Sequence, residues 1–163
     1  MNDDVTLREV RQSDLETFFE DQIDPEATRM AAFPSRDRAA FMAHWEKCMG
    51  DPSCILRTVL LGGEVAGNVV SWAQGGEQKV GYWIGRAHWG KGVATAALSQ
   101  LLATLRVRPL VAHVAKHNVG SIRVLRKCGF TITGEDHASL PDGAIVEDHV
   151  MTLFEEAPVD ERS

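Results

Sequence analysis

The chain has 163 residues, 44% of them hydrophobic and 25% charged, the proportions of an ordinary globular domain and not of a disordered or fibrous chain. A formal net charge of −6 speaks against nucleic acid as the main partner and leaves room for a neutral or cationic one. One compact domain over residues 1–154 is expected, with a polar, frayed tail at 155–163.

Val5 to Val10 alternates and predicts a first strand. Ser13, with Glu16 three residues on, forms a capping-box pattern for a helix running to about Gln22. Asp24-Pro25-Glu26 breaks it, and a short helical turn fits Ala27 to Ala31. Ser35 then opens a helix with Phe41, Met42, Trp45 and Cys48 or Met49 on one face. Ile55–Leu61 and Glu64–Ala73 are β-rich runs joined at Gly62-Gly63, a hairpin signal. Gln74 to Glu77 is the next turn, and Lys79–Gly85 the next strand.

A helix is predicted at about 92–106, then a strand at 110–115, a helix at 118–128 and a strand at 130–135. A last strand, from about Val146 to Phe154, follows a loop marked by Asp142-Gly143. An antiparallel meander followed by a crossover unit makes an α+β, or mixed α/β, domain.

Gly85-Arg86-Ala87-His88-Trp89-Gly90-Lys91-Gly92-Val93-Ala94-Thr95 stands out. A strand, a glycine turn and a helix N-terminus offer free N–H groups and a favourable dipole to a phosphate. Arg86, His88 and Lys91 gather positive charge there, against the acidic trend of the chain. Two nucleotide readings fail. Gly85-x-x-x-x-Gly90-Lys91 would be a Walker A loop, but Gly92 stands where a hydroxyl should ligate magnesium. A dinucleotide fingerprint lacks its third glycine, since Thr95 is there, and the next strand ends at Lys116-His117 rather than at an acid.

The second motif is Asn118-x-x-Ser121-x-x-x-Leu125-x-x-Cys128-Gly129-Phe130. Asn118 fits a helix N-cap, Ile122, Leu125 and Cys128 a buried stripe, and Gly129 the C-terminal stop.

The two motifs in this order resemble the GNAT superfamily of acetyl-CoA-dependent N-acyltransferases, over roughly residues 5–154. Trp89-Gly90-Lys91-Gly92-Val93-Ala94 takes the place of that family's pyrophosphate loop, with tryptophan at its first position. That departure, and the Asn-x-x-Ser…Gly-Phe helix, resemble the branch containing the ribosomal-protein N-terminal alanine acetyltransferases. The resemblance implies a twisted, mostly antiparallel sheet of about seven strands with one parallel splayed pair, flanked by four helices. It implies acetyl-CoA as co-substrate, held by Trp89, Gly90, Lys91, Gly92, Val93, Ala94 and Thr95 at the loop. The strand end Trp83-Ile84 would pair with the pantetheine, and Asn118 and Ser121 would complete the cofactor site.

The implied reaction is direct acetyl transfer to a primary amine, a protein N-terminus or a small molecule, without an acyl-enzyme. Many members use a tyrosine as acid where this chain has Leu125; its one tyrosine is Tyr82. Ser121, helped by Asn118, is the expected replacement at the sulfur. His113, His88, Glu135, Asp136 and His137 are the candidates for a base, each equally readable as a structural or solvated residue. Asp21, Asp24 and Glu26 could attract an ammonium group from the segment 21–38, together with the loop near Asp142. No ligand spacing calls for a metal. The alternative is a catalytically silent acyl-CoA-binding or sensing domain.

Cys48, Cys54 and Cys128 form no CxxC pair and read as free thiols. With no signal peptide and no apolar run of membrane length, a cytoplasmic protein is expected. Many members of the family form dimers, so a homodimer is among the expectations.

Overall fold

A computed structural model describes residues 4–32, 35–139 and 143–155. The strands are β1 (Val5–Glu9), β2 (Ile55–Leu61), β3 (Glu64–Gln74), β4 (Glu77–Ile84), β5 (Leu110–Ala115), β6 (Thr131–Ser139) and β7 (Ile145–Leu153). They form one seven-stranded sheet in the order β1-β2-β3-β4-β5-β7-β6. Every neighbouring pair is antiparallel except β4 and β5. The helices are α1 (Leu15–Ile23), α2 (Pro25–Ala31), α3 (Arg38–Met49), α4 (Val93–Thr104) and α5 (Val119–Lys127). The expected seven-stranded mixed sheet with a single parallel pair is therefore present.

Five α-helices stand where four were expected, because the turn anticipated at Ala27–Ala31 is a full helix opened by Pro25. Proline suits that first position, where its missing N–H has no intrahelical partner to lose. Two caps also differ. Asp37, not Ser35, caps α3, its carboxylate accepting from the Ala40 N–H at 2.8 Å. Nor does Ser13 open α1, which continues from a 3-10 turn at Gln12–Asp14. There Asp14 is drawn inward by a fork from Arg8 (2.7 and 2.9 Å) and by the Thr58 hydroxyl (2.7 Å).

β6 runs on through Glu135, Asp136 and His137, all paired with β7, so the acidic run expected beyond the strand is part of it. The loop residue Asp142 and the tail beyond Glu155 lie outside the described residues.

Two apolar layers enclose the sheet. Val69 and Val70, neighbours on β3, point to opposite faces and join different clusters. On one face α4 and α5 contribute Val93, Ala97, Leu98, Leu101 and Leu125 against Val59, Val80, Leu110 and Met151. On the other, Leu15 and Phe18 of α1 pack with Phe41 and Trp45 of α3. Among the described residues, no helix is long and apolar enough to cross a membrane.

Candidate functional site

β4 and β5 run together for only two residue pairs, Gln78 with Leu110 and Lys79 with Val111. Beyond Lys79 they part, while β4 stays paired with β3 through Ile84. From Val80 onward one edge of β4 has no strand partner among the described residues. Gly85 N–H bonds the Ala66 carbonyl at 2.9 Å, opposite the Asn68–Trp83 and Gly67–Ile84 positions. Alternation of an antiparallel ladder then turns the main chain of Trp83 toward β3, and the N–H groups of Tyr82 and Ile84 toward the gap. An extended ligand can add itself there as a further strand.

The gap opens into a cleft of about 550 Å³. Tyr82, Trp83 and Ile84 line one wall; His88, Trp89, Gly90, Gly92, Val93, Ala94 and Thr95 line the floor; and Asn118 to Ser121 line the far wall. Ala27, Met30 and Ala31 of α2 close one side, where His117 Nε2 lies 2.9 Å from the Arg29 carbonyl. The two sequence motifs thus meet across one space. Of the residues expected to hold a cofactor, all but Lys91 line it.

The floor is built for an anion. Gly90 (φ +76°) and Gly92 (φ +74°) both adopt the left-handed conformation, which a side chain disfavours by roughly 1–2 kcal/mol. Gly92 is the N-cap of α4 and, among the described residues, no side chain caps that helix, whose first residues Val93, Ala94 and Thr95 line the cleft. Among the described residues, nothing lies within 4 Å of where a Gly90 Cβ would stand. Trp89 holds the loop down: its indole N–H donates to the Ile84 carbonyl at 2.8 Å. Arg86 is turned toward the junction of α1 and α2, its Nε 3.0 Å from Oδ2 of Asp24, the N-cap of α2.

On the far wall, the Asn118 side-chain oxygen accepts the Ser121 N–H at 3.2 Å and caps α5. Ser121 Oγ lies 2.6 Å from the Tyr82 hydroxyl, which also reaches the Ser121 carbonyl at 3.3 Å. Burial pushes the Tyr82 phenol up to about 12, against the opposing effect of its bond to Ser121. Leu125 is 1% exposed and belongs to the core. Tyr82 was the functional candidate that local motifs missed. Its signal was alternation: Val80, Tyr82 and Ile84 share a face, and that face looks at α5.

The base candidates scatter. His113 does not line the cleft; its Nδ1 lies 3.7 Å from Asp136 Oδ2 on the β6 side of the sheet. Glu135 pairs with Lys116, which holds its carboxyl below the usual range. Asp21, on α1, presses against the end of β4: a Cβ at Gly85 would sit 2.8 Å from Asp21 Oδ1. Burial, with Glu20 and Asp24 nearby, pushes Asp21 up to about 6. Cys128 is half-buried beneath α4 and burial raises its thiol, which suits packing rather than nucleophilic attack. Among the described residues, no three His, Cys, Asp or Glu side chains gather as a metal site requires.

Comparison with known proteins gives a consistent picture. Residues 4–131 match the acetyltransferase (GNAT) domain family. The probable N-acetyltransferase YjcK of Bacillus subtilis (strain 168) is 34% identical over 74 residues, 43% of this chain and 41% of that one. An uncharacterized N-acetyltransferase, p20 of Bacillus licheniformis, is 34% identical over 65 residues, 37% of this chain and 36% of its own length. The match thus spans about two fifths of these curated relatives. A spermidine N-acetyltransferase from Vibrio cholerae, solved with CoA and spermine, superposes with a TM-score of 0.81 at 18% identity, over 94% of this chain and 97% of that one. A Bacillus anthracis acetyltransferase of the GNAT family gives 0.79 at 19%, over 96% and 98%. At such identities the likeness is one of fold.

Proposed function

Since this chain belongs to the GNAT acetyltransferase family, we propose that it moves the acetyl group of acetyl-CoA directly onto a primary amine. The observation that carries this reading is the free edge of β4 beyond Lys79, leading into Gly90 and Gly92 at the α4 N-terminus. The N–H groups of Tyr82 and Ile84 are turned to pair with the pantetheine amides. Main-chain N–H groups of the loop, with Lys91 adding positive charge, receive the diphosphate. The thioester then lies between the separated strands, where the amine can approach it.

Holding the two reactants in line supplies much of the rate, because a bimolecular step becomes effectively unimolecular. Ser121 stands at the sulfur and Asn118 fixes its main chain. The acceptor proposed first is a protein N-terminus, since the loop and the Asn-x-x-Ser helix resemble the ribosomal-protein alanine acetyltransferases. A small amine is the next choice, and the polyamine-bound neighbour makes spermine a reasonable probe. Asp21 and Glu26 leave the α1–α2 side acidic, which suits an ammonium group. We place the reaction in the cytoplasm, where Cys48, Cys54 and Cys128 would remain thiols.

Release of free CoA thiol with peptides bearing free N-terminal alanine, and with polyamines, tests the proposal. No thiol release above the hydrolytic background on any amine would overturn it. A silent acyl-CoA-binding domain is the second reading, favoured by Leu125 in the core. It predicts thermal stabilisation by acetyl-CoA without turnover. Two hydroxyls meeting in the cleft speak for the enzyme.

A further inference from the structure

We propose that Tyr82 is a positioning residue: it fills one lone pair of Ser121 Oγ and so aims the serine's own hydrogen at the departing sulfur. The inference rests on the acetyl-CoA reading above and deepens it. Nothing in the motifs joins these residues, which lie 39 positions apart on β4 and α5.

Either hydroxyl can donate at 2.6 Å, and we assign the phenol hydrogen to this shorter of its two contacts. The two oxygens are 2.6 Å apart, a good O–H···O distance, whereas the phenol is 3.3 Å from the Ser121 carbonyl. A phenol as buried as this keeps its proton at every working pH and is present as a donor. With the tyrosine hydrogen on Oγ, the single hydrogen of Ser121 must point elsewhere. Among the described residues Ser121 Oγ has no other hydrogen-bond partner, so that hydrogen faces the cleft.

The chemistry follows. The amine lone pair attacks the thioester carbon, the C–S bond breaks, and its electron pair stays on sulfur. The proton of the attacking nitrogen leaves to solvent, and the thiolate is protonated by solvent after release. Neither hydroxyl transfers a proton in this scheme, because a thiol is a stronger acid than either of them. What they supply is a hydrogen bond to developing negative charge. The first turn of α5 adds the positive end of a helix dipole.

Two measurements test this with Tyr82→Phe, which keeps the ring and removes the hydroxyl. In steady state with the best amine, Y82F and S121A should each lower kcat by about 10- to 100-fold, with KM for acetyl-CoA within about two-fold. The double variant should fall no further than S121A, because tyrosine acts through serine. The second measurement needs no acceptor: the thiol of bound CoA is titrated by its ultraviolet thiolate absorbance. Wild type should depress that titration by about one unit relative to free CoA, and both single variants should lose the depression.

If Y82F keeps wild-type kcat, or titrates bound CoA as wild type does, the inference is overturned while acetyl transfer stands. If CoA does not bind wild type at all, the underlying reading fails and takes the inference with it.

Discussion

Arg86 and Asp24 join the glycine loop after β4 to the α1–α2 pair, Arg86 Nε standing 3.0 Å from Asp24 Oδ2. From the sequence, Arg86 adds to the charge offered to a phosphate. In the fold it faces the helix pair α1–α2 instead, where Asp21 and Glu26 are also anionic. Removing Arg86 therefore leaves carboxylates repelling one another. Arg86→Met should lower stability by about 1 kcal/mol at neutral pH, the modest size reflecting a half-exposed guanidinium. Asp24→Asn in that background should recover most of it. Denaturant titration of the two variants checks this; equal loss in the double variant would show that the pair is not coupled.

Gly92→Ala and Gly90→Ala separate backbone strain from ligand binding. Both positions are left-handed, so each alanine should cost roughly 1–2 kcal/mol of stability. At Gly90 the added Cβ meets nothing among the described residues, so the fold itself tolerates its volume. On the function proposed above, the atoms it would meet are those of the diphosphate. Calorimetry should show acetyl-CoA affinity reduced about ten-fold or more in each, well beyond the change in melting temperature. Wild-type affinity in both would remove the loop as the phosphate site.

Much of this site was legible locally because main-chain chemistry advertises itself. A glycine turn before an uncapped helix leaves the same trace in any sequence, and Gly90, Gly92 and Asn118 stand where their spacing implied. The Gly62-Gly63 hairpin was equally plain, since φ of +59° and +83° suits no other residue as well. What was not legible depended on distant partners. Ser13 and Asp14 are both good caps, and only Thr58 and Arg8, arriving from β2 and β1, settle the role of Asp14. The contact between Tyr82 and Ser121 exists because β4 and α5 pack together across a cleft. Each residue alone looks ordinary.

Asp14 should govern acid stability. Burial raises its pKa, but the Arg8 fork, the Arg11 N–H and the Thr58 hydroxyl outweigh that and hold it at about 2. A depressed carboxylate stabilises the fold above the unfolded value and loses that contribution as pH falls from about 4 toward 2. Asp14→Asn leaves Arg8 without its charge partner and should lose about 2–4 kcal/mol at pH 7. Melting curves of wild type and D14N should converge near pH 2; a constant gap across that range would assign the loss to packing instead.

Asp21 should behave in the opposite sense. Its pKa is raised to about 6, so the folded state binds a proton that the unfolded chain releases near pH 4. Above pH 6 both states are ionised, and the fold bears the full cost of a partly buried charge beside Glu20 and Asp24; below pH 4 the cost is gone. Asp21→Asn removes that charge without changing its volume. It should raise stability by about 1–3 kcal/mol at pH 7.5, with the gain fading between pH 6 and 4. On the acceptor reading proposed above, activity should move the other way, because the charge that strains the fold would also be the one drawing an ammonium group toward the α1–α2 side. A D21N variant that is more stable yet has an unchanged KM for cationic amines would separate the two, leaving Asp21 as strain without a role in acceptor binding.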